Sequence, residues 1–65
     1  MTKEQAMERL GLKDGDVLVR KYMVAYLEER KDFLRTHSSL PVTMLVKVEK
    51  EIEALEILIE KGCAV

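Results

Sequence analysis

The chain has 65 residues, 11 basic and 12 acidic side chains, a formal net charge of −1 and 48% hydrophobic residues. That is the balance of one small globular domain, 1–65, too apolar for a disordered chain. The near-neutral charge argues against a non-specific nucleic-acid binder; one cysteine (Cys63) and one histidine (His37) leave neither an intramolecular disulfide nor a closed Cys/His zinc site.

Three helical segments follow in chain order. In the first, Thr2 and Gln5 have the spacing of a capping box, in which each side chain satisfies a free backbone N–H. Gly11 falls at the left-handed position after a helix, and Leu12 is placed to close on Met7. This predicts a helix over 3–10 with Ala6, Met7 and Leu10 on its inner side, too short to be stable undocked.

Lys13-Asp14-Gly15-Asp16 is a turn by composition. Asp16, or in competition Asp14, is the expected N-cap of a second helix over 17–36. The stretch Tyr22-Met23-Val24-Ala25-Tyr26-Leu27 is apolar or aromatic on every side, where a helix with one buried face shows polar residues every third or fourth position. Two surfaces must cover it, supplied by the other helices or by a second copy. Tyr22, Met23, Val24, Tyr26 and Leu27 are therefore the candidate partner-binding residues. Farther along, Phe33 and Leu34 are apolar among charged neighbours. Arg30, Lys31 and Arg35 form a basic cluster that could contact phosphate or pair with the acidic stripe of another copy, but interleaved with Glu28, Glu29 and Asp32 it reads better as a salt-laced surface.

His37-Ser38-Ser39-Leu40-Pro41 interrupts the helix, with Pro41 suited to the first turn of the next. So short a connection returns the chain alongside itself. In the third helix, over 41–61, Leu45, Val48, Ile52, Leu55 and Ile59 recur at alternating spacings of three and four, the seam of a coiled-coil-like surface. Met44 and Leu58 widen that seam, and Gly62 is placed to end the helix in a left-handed conformation. Val19, Met23, Tyr26, Leu27, Phe33 and Leu34 are expected to face the seam. The predicted fold is all-α: a short N-terminal helix docked on an antiparallel two-helix hairpin.

Glu49, Glu53, Glu56 and Glu60 line up as an acidic stripe on the third helix. A docking surface for a basic partner, a carboxylate metal site and a solvated face are the alternatives. Two-metal carboxylate bundles use Glu-x-x-His pairs, and none occurs here. His37 reads as an exposed turn residue without catalytic company, and Cys63 as a thiol without an assigned role.

Thr2-Lys3-Glu4-Gln5-Ala6-Met7-Glu8-Arg9-Leu10-Gly11-Leu12 resembles the opening of MerR- and excisionase-like helix-turn-helix domains. Those commonly read Thr-x-Glu-Glu-Ala-Ala-Glu-Arg-Leu-Gly-Val/Leu, followed by a turn and a recognition helix. Asp16-Val17 falls where they often have Thr-Val, and Arg20-Lys21 where basic residues often follow. The resemblance covers residues 2–21 and implies a small DNA-binding regulator contacting DNA through Arg20 and Lys21. Met7 departs from a small residue at the helix crossing, Asp14, Gly15 and Asp16 present the wrong charge to phosphates, and no wing follows. In shape alone, two-helix hairpins of this size are similar to small secretion chaperones and phage or bacterial adaptor proteins.

Function is therefore expected to lie in contact rather than chemistry: a non-enzymatic interaction module that self-associates, as a dimer first of all, or binds a protein partner through the second helix. DNA binding by residues 2–21 is the alternative. No cofactor, small molecule or membrane is implied. No apolar run reaches the roughly 18 residues that mark a spanning helix. The opening Met1-Thr2-Lys3-Glu4 is not a signal peptide, Cys63 is not in a prenylation box, and a cytoplasmic location is expected.

Overall fold

A computed structural model describes residues 1–13, 15–37 and 39–62; Asp14 and Cys63, singled out above, lie outside the described residues. Three helices follow in order: α1 (Lys3–Arg9), α2 (Arg20–Thr36) and α3 (Val42–Ile57), the last continuing into a π-helical turn, Leu58–Gly62. α2 and α3 form the antiparallel hairpin, while α1 packs on α3 and on its π turn.

Both ends of α1 are closed by local hydrogen bonds. The Gln5 N–H donates to the Thr2 hydroxyl at 3.2 Å and the Thr2 N–H donates to Gln5 Oε1 at 2.9 Å, which completes the capping box. At the other end Gly11 has φ +74°. Its N–H donates to the Glu8 carbonyl at 3.1 Å and that of Leu12 to the Met7 carbonyl at 2.8 Å, the paired bonds of a Schellman ending. Between these caps, Ala6 and Met7 are buried.

The start of α2 differs from the expectation. Asp16 does not cap it: its carboxylate accepts the Lys13 N–H at 2.8 Å while its own N–H donates to the Lys13 carbonyl at 3.1 Å, closing the turn on itself around Gly15 at φ +92°. Val17–Val19 precede the helix, and Val19 is an extended N-cap with no side-chain bond. The reason is tertiary. Leu18 enters the core with Ala6, Met7, Ala54 and Leu58, leaving Val17 77% exposed. Extended backbone alternates its side chains, and the β-branched Val17 and Val19 suit that conformation.

The α3 seam forms with Val48 and Leu55 buried and Leu45, Ile52 and Ile59 half-buried, but Met44, expected to widen it, is 41% exposed in the first turn. Ala54 and Leu58 are also fully buried, on the side that receives α1 and Leu18. Pro41 is the N-cap rather than a first-turn residue, with ψ 149°; the Leu45 N–H donates to its carbonyl at 3.0 Å. Gly62 is likewise not left-handed. It lies in the π turn, where a Cβ would sit 3.1 Å from Leu58 Cδ2, 3.3 Å from Lys3 Cε and 3.5 Å from Leu18 Cδ1.

At the hairpin tip His37 is the exposed C-cap of α2. Its ring stacks on Phe33 with centroids 4.3 Å apart, and Nδ1 lies 3.0 Å from both Thr36 Oγ1 and the Phe33 carbonyl. These short-range contacts hold the ring against its own helix.

Candidate interaction surface

At 100° per residue, α2 turns Met23, Leu27, Arg30 and Leu34 toward α3, and their burial follows: Leu27 is 8% exposed and the other three are half-buried. The five candidate residues are thereby separated. Met23 and Leu27 belong to the chain's own packing. Tyr22 and Tyr26 lie on one flank of that contact, 67% and 42% exposed, and Val24 on the other, 39% exposed. Tyr26, expected to face the seam, sits beside it.

The tyrosine flank is the side on which α1 docks. Leu10, Leu12, Met23, Tyr26 and Leu55 line a notch of ≈ 90 Å³ where the end of α1 meets the hairpin. Arg30 roofs the next turn, its guanidinium carbon 5.5 Å from the Tyr26 ring centroid and 5.3 Å from that of Phe33. Its head pairs with Glu29 at 3.2 Å, while Nε is buried without a hydrogen-bond partner. The guanidinium thus lies over two aromatic faces, a favourable place for a cation, with one end reaching the exposed Glu29.

The charged candidates are spread over the outside. Glu49, Glu53, Glu56 and Glu60 are all exposed, and only Glu53 takes part in a described ion pair, with Lys50 at 3.6 Å. Among the described residues no three carboxylate, imidazole or thiol groups come together as metal ligands do. Of the basic cluster, Arg35 pairs with Asp32 at 3.0 Å. Arg20 and Lys21 occupy the exposed first turn of α2, Lys21 Nζ lying 5.8 Å from the Tyr22 ring centroid. No acidic side chain occurs in that turn, so two cations stand at the positive end of the helix dipole, where they are unfavourable. A wide polar groove of ≈ 660 Å³ between α1 and α3 is lined by Met1, Gln5, Glu8, Arg9, Lys50 and Glu53.

Two structural features escaped the sequence reading: the core role of Leu18 and the close approach at Gly62. The signal for the first was present in Val17-Leu18-Val19, a β-branched alternation directly after a Gly turn. None of the helices in the described residues is long and apolar enough to cross a membrane. Comparison with protein-family models, with curated proteins and with solved structures finds no match to this chain.

Proposed function

We propose that the protein is a non-enzymatic interaction module, a helical hairpin that associates with itself or with a protein partner through the exposed sides of α2. The observation that carries this reading is the exposure of Tyr22 and Tyr26 on one flank of α2 and Val24 on the other. Aromatic side chains left in solvent beside an apolar notch are what protein interfaces bury at their centres. In this reading the protein works in the cytoplasm, and its one cysteine is consistent with a compartment in which disulfides do not hold folds together. A helix-turn-helix is a weaker account, because its two helices pack together across a turn of about 3–4 residues. Here Leu10–Val19 separate α1 from α2, and α1 packs on α3.

The test places a photo-crosslinking amino acid at Tyr22, at Val24 or at Asp32, which is exposed on the outer side of α2. The proteins are then irradiated in cells that make the protein natively. A discrete protein adduct from position 22 or 24, weak or absent from 32, is expected. Identical patterns from all three positions overturn the reading, and a nucleic-acid adduct in place of a protein one favours the helix-turn-helix account.

A further inference from the structure

The hairpin has two broad sides, and α1 docks on only one of them. On the other, the helical repeat brings Arg20, Val24, Leu27, Lys31 and Leu34 of α2 beside Leu45, Glu49, Ile52 and Glu56 of α3, with Ile59 of the π turn following them. The apolar members form the middle: Leu27 is buried, Leu34, Leu45, Ile52 and Ile59 are half-buried, and Val24 is exposed. The charged members form the two rims, basic along α2 and acidic along α3. Among the described residues no ion pair engages Arg20, Lys31, Glu49 or Glu56.

We infer that this α1-free side is the interface with a second copy of the chain, an inference that rests on the interaction reading above. The charges select the geometry. A two-fold axis parallel to the helices lays α2 of each copy over α3 of the other, so each basic rim meets an acidic one. Residues equally far from the hairpin tip then lie level. Lys31 comes within reach of Glu49 and Arg20 within reach of Glu56, each pair about two residues off level, and the half-buried Leu34 meets Leu45. The alternative two-fold axis, across the helices, stacks α2 on α2 and α3 on α3 and sets like charges together, a costly arrangement. A closed isologous pair also uses the patch once on each copy and leaves none to propagate. The molecule is 36 × 20 × 15 Å, so a side that runs its full length is of the same order as the roughly 800 Å² that each partner gives to a standard interface.

The test is a charge exchange in the full chain, followed by sedimentation velocity and circular dichroism. The wild-type protein is expected to be dimeric at micromolar concentration. R20E/K31E and E49K/E56K are each expected to keep their helix content and to dimerise at least about tenfold more weakly, because like charges then face each other at both contacts. Mixed in equal amounts, the two variants regain a one-to-one dimer, since every rim again meets its opposite. A monomeric wild type, variants that dimerise as well as wild type, or a mixture that stays monomeric each overturn the inference. A monomeric wild type that still crosslinks from Tyr22 or Val24 to a different protein overturns the second copy alone and leaves the interaction module standing.

Discussion

Gly11 and Gly62 show how one residue type answers two different constraints. Gly11 has φ +74° and nothing within 4 Å of where a Cβ would stand, so its requirement is conformational. Gly62 is not left-handed, and the ends of the Leu58 and Lys3 side chains stand closer to the same point than an ordinary contact, at 3.1 and 3.3 Å, so what it supplies is room. A side chain at a left-handed position costs roughly 1–2 kcal/mol. Gly11→Ala is therefore expected to destabilise the protein by about 1 kcal/mol and to lower the midpoint of thermal unfolding by about 4–8 °C for a domain of this size. Gly11→Asn, which tolerates that conformation, is expected to lose less. Thermal melts followed by circular dichroism compare the two; equal losses would mean that backbone conformation at this position is not what the glycine supplies.

Among the elements, α3 is the one on which the other two depend, because α1 and α2 both pack against it. Leu55 is 1% exposed while Glu53, two residues earlier, is on the outside with a single ion pair to Lys50. Leu55→Asp buries an unpaired charge and is expected to abolish cooperative unfolding, whereas Glu53→Ala is expected to stay within about 0.5 kcal/mol of wild type. Urea titrations of the two variants read the difference directly. This helix was legible in the sequence because its burial follows a fixed period that needs no knowledge of the partners. So was α1, whose caps are bonds between residues three to five apart. The start of α2 was not legible: Asp16 satisfies the local grammar of both a turn and a cap, and the choice is made by Leu18, whose burial depends on Ala54 and Leu58 some forty residues away. The division of Tyr22, Val24 and Tyr26 between two flanks was hidden for a related reason. Periodicity separates inside from outside, but a stretch apolar all round carries no period, and the position of α1 decides which flank is which.

For the whole molecule, the thinness of the hairpin is the governing fact. A helical layer buries its apolar stripe only against another layer, and α1, with seven residues, supplies a partial one. A chain of this size has little stability to spare. If a second copy completes the structure, folding and association are linked, and the unfolding midpoint rises with protein concentration. Melts of the wild type over a hundredfold range of concentration are expected to show that rise, and R20E/K31E to show a smaller one. A midpoint independent of concentration would mean that the single chain carries its own stability.

The docking of α1 across the chain also sets an order of events. Its caps lie within residues 2–12 and need nothing else, yet its seat, Ala54 with Leu58, belongs to the far end of the sequence. Two turns of helix do not persist alone, and contacts between such distant residues form late. The hairpin, whose halves are separated by only a few residues, is therefore expected to assemble before α1 latches. Without α1 in place, Leu18 would lack the Ala6 and Met7 side of its pocket. The reverse excursion, α1 lifting while the hairpin stays folded, is a local opening of the kind docked elements undergo, and it would widen the notch between Leu10, Met23 and Leu55.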